Sequence, residues 1–323
     1  MTFFHLPESW SKPTRLVSCL ALLALLGACA TPPQSAALLR QTRADLPAAV
    51  LINDLPFFAQ DDYQCGPAAL ATVLQHSGVS LTPEDLVPLV YVPQRKGSFQ
   101  IEMSAAARQQ GRVVYTLAPE LEALLQEAAA GHPALVLQNL GLTAWPRWHF
   151  AVVKGYDLET RQLILNSGRL ENYAVALGTF ERTWARAGYW AQVVLPPGQL
   201  PATAEPESLF QALTALQETG QQDTAAQAYD SALQRWPANR SLLMGAGNLR
   251  YAMGEKSAAL KLFRRVTQLH TDFAPAHNNL AQLLFEQGVL PEAMLHARRA
   301  VALGGDFTPR YQDTLRELEQ AAE

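Results

Sequence analysis

The 323-residue chain has little charge, few cysteines and no long apolar run in its body. Only 17% of the residues are charged and the formal net charge is −4, which excludes the basic footprint of a nucleic-acid-binding domain. With 49% hydrophobic residues the chain is globular and long enough for two domains. The three cysteines, Cys19, Cys29 and Cys65, stand far apart, and no Cys-x-x-Cys pair or Cys/His cluster at zinc spacing occurs. No metal or organic cofactor is expected. Near the N-terminus Leu16–Leu26 is apolar, but too short to span a bilayer comfortably.

What is present starts with a targeting segment. Lys12 and Arg15 precede the apolar run, which ends in Leu26-Gly27-Ala28-Cys29. That order resembles a bacterial lipoprotein signal: 1–28 would be removed and Cys29 would carry the lipid. Ala30, rather than Asp, follows Cys29, the pattern expected at the periplasmic face of the outer membrane if the host is Gram-negative. Residues 29–48, with Pro32-Pro33, read as a tether. Cys65 is then the one free thiol of an exported protein, with no partner for an intramolecular disulfide.

Cys65 sits in Gln60-Asp61-Asp62-Tyr63-Gln64-Cys65-Gly66-Pro67. Proline suits a first helical turn, so a helix should open here and run to Ser77-Gly78. A thiol at a helix N-terminus meets unpaired N–H groups and the positive end of the dipole. Both favour the nucleophilic thiolate, which predicts a thiol pKa below the usual one.

Further along, helical patterns give way to strands, an α+β domain. Thr82-Pro83-Glu84-Asp85 has the look of a helix start. Trp148–Tyr156 and Gln162–Asn166 read as the arms of a hairpin. His149 opens the first arm and Asn166 closes the second, so antiparallel pairing should set them side by side. Cys65, His149 and Asn166 together can supply nucleophile, general base and imidazole-orienting residue. His76 lies eleven residues along the Cys65 helix, roughly 16 Å away, too far to serve as base. His132 precedes Pro133 and reads as a surface turn residue.

Gln-x4-Cys-Gly-Pro followed by His-Phe-x-Val-Val-x-Gly-Tyr-Asp and a strand-ending Asn resembles the bacteriocin-processing (double-glycine leader) peptidases. These are papain-like cysteine peptidases. The resemblance implies a papain-like fold over 49–198, with nucleophile Cys65, base His149 and orienting residue Asn166. It places the oxyanion-hole Gln on Gln60, one residue nearer the Cys than usual, with Gln64 as the alternative. It implies a peptide or protein substrate, although these relatives are usually fused to a membrane transporter and no transmembrane bundle is read in these 323 residues.

Pro196-Pro197-Gly198 through Pro201 and Pro206 read as a Pro-rich linker, centred on 199–204, which predicts a catalytic domain separable from the rest of the chain. Beyond it Gly220, Gly254 and Gly288 recur at 34 residues. So do Ala225, Ala259 and Ala293; Tyr229, Phe263 and Ala297; and Ala232, Val266 and Ala300. This period resembles tetratricopeptide repeats, three of them over 205–306, with a capping helix over 307–323. Asn248, Asn278, Asn279 and Arg250 are expected either on a groove that holds a protein segment or on a solvated helix face. The whole reads as a lipid-anchored, exported cysteine peptidase with a protein-binding solenoid. The alternatives are a cell-wall amidase or transpeptidase on the same fold, and a non-catalytic adaptor.

Overall fold

The computed structural model describes residues 32–38, 40, 46–59 and 64–323. Cys19, Cys29, Gln60, Asp61 and Asp62 lie outside the described residues, as does what was expected of them. No helix among the described residues is long and apolar enough to cross a membrane.

The first part runs α1 (Pro33–Leu38), β1 (Ala49–Leu51), α2 (Cys65–His76), α3 (Pro83–Val90), α4 (Gln100–Gln109) and β2 (Val113–Thr116). It continues with α5 (Leu121–Ala129), β3 (Ala134–Asn139), β4 (Trp148–Asp157), β5 (Gln162–Ser167), β6 (Leu170–Ala176), α6 (Leu177–Ala185) and β7 (Ala191–Leu195). The strands form one seven-stranded sheet in the order β2-β7-β3-β4-β5-β6, with β1 also paired to β4. Every pairing is antiparallel. Side chains alternate across a strand, so each strand serves two cores. Leu135, Leu137, Phe150 and Val152 meet Leu70, Val73 and Leu74 of α2 on one face. Val136, Ala151 and Val153 meet Leu124 of α5 and Phe180 and Trp184 of α6 on the other. The helix start expected at Thr82 is a full capping box, Thr82 and Asp85 each bonding the other's backbone N–H.

Two expectations about connecting segments change. Part of the expected tether is folded: α1 docks on α6 through Glu181, whose buried carboxylate accepts from Gln34 N (2.9 Å), Ser35 N (2.6 Å) and Ser35 Oγ (2.5 Å). Those are orphan donors of a helix N-terminus, and a carboxylate is the acceptor they favour. The Pro-rich stretch 199–204 is likewise pinned. The fully buried carboxylate of Glu127 accepts from Ala202 N (3.1 Å), Thr203 N (2.8 Å), Thr203 Oγ1 (2.6 Å) and His132 Nδ1 (2.7 Å). His132, read as a surface residue, is therefore half-buried and engaged.

Burial pushes the Glu127 pKa up, but the hydrogen bonds from His132 and Thr203 outweigh it and hold the carboxyl below its ordinary 4.5. A folded pKa below the unfolded one adds stability that is complete above pH 4.5 and is lost as pH falls through the folded value. Glu127→Ala should therefore cost about 3 kcal/mol in urea unfolding at pH 7, because several buried donors lose their acceptor. The gap between variant and wild type should narrow on acidification below pH 4.5. An unchanged midpoint at pH 7 would contradict this role.

Seven helices complete the chain: α7 (Pro206–Gln217), α8 (Gln222–Arg235), α9 (Arg240–Ala252), α10 (Lys256–Leu269), α11 (Ala274–Glu286), α12 (Leu290–Leu303) and α13 (Thr308–Gln320). They stack as three pairs and a cap. Gly220, Gly254 and Gly288 make the turn inside each pair at φ +82°, +79° and +75°, a left-handed conformation in which a side chain is strained. Ala225, Ala259, Ala293, Ala232, Val266 and Ala300 are all fully buried, which is why small residues recur there. The stack is continuous with the sheet. Leu209, Leu213 and Leu216 of α7 share one core with Val113 and Tyr115 of β2. The Tyr115 hydroxyl also donates to Thr203 O (3.3 Å) and accepts from Glu205 N (3.1 Å).

The expected groove residues divide. Arg250 is held by Asp230 (2.6 Å) and Glu255 (2.7 Å), and Asn278 is only 2% exposed. Asn248 and Asn279 bond each other (2.8 Å) and line a cavity of about 260 Å³ with Tyr251, Phe263, Gln282 and Arg310.

Candidate active site

Cys65 is the first residue of α2, after Gln64 at the N-cap. Gly66 through Leu74 are all buried, so the helix runs through the core and delivers its first residue to the molecule's edge. Gly66 is required by space: a Cβ there would lie 2.3 Å from Ser98 Oγ. Ser98 Oγ is itself buried with no hydrogen-bond partner among the described residues, a polar group against Gly66 that the sequence reading did not single out.

The backbone N–H groups of Phe150, the residue after His149, of Gly66 and of Cys65 itself lie near the thiol and favour its charged form. Burial nevertheless dominates and raises the pKa above the ordinary 9.0. The depressed pKa expected from the helix N-terminus is thus corrected: losing water costs the thiolate more than three N–H groups return. Iodoacetamide should accordingly label Cys65 with a midpoint above pH 9.0. A midpoint below pH 8, read by mass spectrometry across a pH series, would show the resting thiolate that the helix N-terminus alone suggests.

His149, near the start of β4, is half-buried. Burial lowers its pKa from 6.5, and the Arg147 charge lowers it further. At neutral pH the resting groups are therefore a thiol and a neutral imidazole. The ring nitrogen Nε2 lies 2.9 Å from Ser167 Oγ. Among the described residues no group is hydrogen-bonded to Nδ1, the nitrogen left for a proton from elsewhere.

The pairing expected between His149 and Asn166 is not formed. Asn166 stands opposite Val152, and its side chain donates weakly to Pro56 O (3.5 Å) and accepts from Asn172 N (3.3 Å). The cause is a bulge. Near the hairpin turn Gly155 faces Ile164, but beyond it Val153 faces Leu165, so Lys154 is one residue too many on β4. Continued without the bulge, the first register would put Asn166 opposite Val153, on the His149 side of the strand. A one-residue slip exchanges faces, which turns Asn166 toward the α2 side and brings Ser167 round to His149. Gly155 helps set this arrangement: a Cβ there would lie 2.2 Å from Val50 O of β1.

The loop between β3 and β4 is tied down beside His149. Asn139 Oδ1 accepts from Gly141 N and Arg147 N (both 2.9 Å), and Arg186 holds the Asn139 carbonyl (2.9 and 3.1 Å). This ordered loop leaves Leu142 66%, Trp145 76% and Trp148 56% exposed. His76 bonds Gly131 O (3.1 Å) and takes no part. Among the described residues no group of three or more His, Cys, Asp or Glu could hold a metal ion.

Residues 52–192 match the family model described as Peptidase_C39 like family. No curated protein matches the chain. A C39-like peptidase from Bacillus anthracis is similar at 16% identity, covering 46% of this chain and 98% of that one, with a TM-score of 0.39. The type III secretion chaperone SycD of Yersinia enterocolitica, in complex with a peptide of the translocator YopD, is similar at 19% identity. That match covers 36% of this chain and 94% of the chaperone, with a TM-score of 0.34. The first repeat domain of Spaghetti (RPAP3), bound to an HSP90 peptide, matches at 19% identity, 36% of this chain, 92% of that chain and a TM-score of 0.34. Residues 52–192 thus form a C39-like domain, fused to tetratricopeptide-like helices.

Proposed function

We propose that the chain is a cysteine peptidase, exported and anchored by a lipid on Cys29. One observation carries the catalytic part: the backbone N–H of Phe150, next in the chain to His149, is near enough to the Cys65 thiol to favour its thiolate, at the end of β4 where His149 stands. Cys65 Sγ attacks the scissile carbonyl carbon as its proton passes to His149 Nδ1. Collapse of the tetrahedral species breaks the C–N bond, and His149 returns the proton to the leaving amine. A thioester remains, which water hydrolyses with His149 again as base. Because the resting thiol is protonated, the proton transfer accompanies attack rather than preceding it. Cys65 N–H is one donor for the oxyanion, and Gln60 is assigned as the other from the resemblance alone. Leu142, Trp145 and Trp148 offer apolar surface beside the base for substrate side chains.

The helices bind a protein segment in the cavity lined by Asn248, Tyr251, Asn279, Gln282 and Arg310, where amide groups suit an extended backbone. The test is to incubate the full chain with unfolded protein substrates and detect new amino termini by mass spectrometry. They should appear with wild type and not with Cys65→Ala. Identical products from both proteins would end the peptidase reading.

A further inference from the structure

We infer that Ser167, rather than Asn166, is the residue that positions His149, so that the orienting group of the site is an uncharged hydroxyl. The inference rests on the peptidase reading for its consequence, but on geometry for its substance. Ser167 Oγ is 2.9 Å from His149 Nε2, while Asn166 spends its side chain on Pro56 O and Asn172 N. The Lys154 bulge fixes that choice by register, so rotation of the Asn166 side chain alone does not reverse it.

For Nδ1 to accept the Cys65 proton, the neutral ring must carry its hydrogen on Nε2. Nε2–H then donates to Ser167 Oγ, which holds both the tautomer and the ring plane. When the ring gains its second proton, Nε2–H keeps the same acceptor, so the bond survives every step. A carboxylate here would also stabilise the imidazolium electrostatically; a hydroxyl does so only weakly. The charged group acting on the ring is Arg147, from the loop before β4, while β5 contributes the uncharged Ser167. Neither supplies a negative charge at neutral pH, in keeping with the downward direction of the His149 pKa. The site is therefore built to keep the base neutral into mildly acidic conditions, with an acid limb of kcat/KM below pH 6.5.

The test uses the full chain and reads the ring directly. In nitrogen-15 NMR of His149, wild type should show the Nε2–H tautomer. Ser167→Asp should raise the His149 pKa by about one unit or more, since a carboxylate within hydrogen-bond reach favours the charged ring. Asn166→Ala should leave that titration in place. In turnover, Ser167→Ala should lower kcat/KM by about 10- to 100-fold, mainly in kcat, as a partial loss of general-base catalysis. Ser167→Asp should recover rate and carry the acid limb to higher pH. If Ser167→Ala does not fold, the Asp variant's titration still decides. A His149 titration that tracks Asn166 substitutions and ignores Ser167→Asp overturns the inference. An NMR result as expected, with no turnover by wild type, would instead retire the peptidase reading and leave the hydrogen bond standing.

Discussion

Cys65→Ala is expected to bring peptide hydrolysis down to background, and His149→Ala to come close to it. The size of the effect reflects shared labour: removing either partner of a nucleophile–base pair forfeits nearly the whole of their joint contribution. That amounts to about 10⁵- to 10⁶-fold in kcat where such pairs have been dissected. Here the thiol is protonated at rest because burial raises its pKa. His149 is the base assigned to take its proton, so the base variant should fall almost as far as the nucleophile variant. Neither change should unfold the chain, since both side chains are only partly buried. Product formation measured beside thermal unfolding of each variant checks both statements. His149→Ala at more than a tenth of wild-type rate would mean that another group takes the proton.

The second large effect concerns a cut through the connecting segment. The Pro-rich composition of 199–204 suggests that the first domain works alone. The shared core predicts the opposite: deleting Glu205–Glu323 should leave the sheet domain largely unfolded or aggregated. Leu209, Leu213 and Leu216 are each fully buried, and they cover Val113 and Tyr115. Losing three such side chains forfeits roughly 1.5–3 kcal/mol apiece, a large share of the 5–15 kcal/mol that holds a typical domain together. A longer fragment ending at Gly220 keeps α7 and should recover a cooperative thermal transition. If the shorter fragment melts like the full chain, α7 is a passenger on β2 and not part of its core.

Features written in local periodicity were legible in the sequence. The Cys65 helix, the β4–β5 hairpin and the 34-residue repeat all depend on neighbours within a few turns or strands. What depended on distant packing was not. The Lys154 bulge is seated where β1 crowds Gly155, a contact nothing in residues 148–166 announces. That single residue decides between Asn166 and Ser167. The thiol pKa went the wrong way for a similar reason, because a helix terminus can be read locally but burial cannot. Strands β6 and β7 and helix α6 were passed over; β6 buries only Val175, so it carries no regular alternation, whereas the wholly buried β7 could have been read from Ala-Gln-Val-Val-Leu. Nothing local to Glu127 or Glu181 announces the distant chain that each one grips.

The core shared by β2 and α7, with the Glu127 clamp at its edge, also sets a length scale. If that shared core holds the two parts as one body, the cavity between Asn248 and Arg310 and the thiol at Cys65 stand at a fixed separation. On the proposed function, a substrate held in the repeats would reach the thiol only through its own intervening residues, which would have to span that interval. Local concentration at Cys65 is then a property of the substrate's spacer: negligible when too short, greatest when its reach matches the gap, and declining slowly beyond. Under the proposed function, such an enzyme would measure how far a scissile bond lies from a docking sequence. A series of substrates with the same two motifs and graded spacers should show a rate optimum in spacer length, and Glu127→Ala, by loosening the clamp, should broaden it.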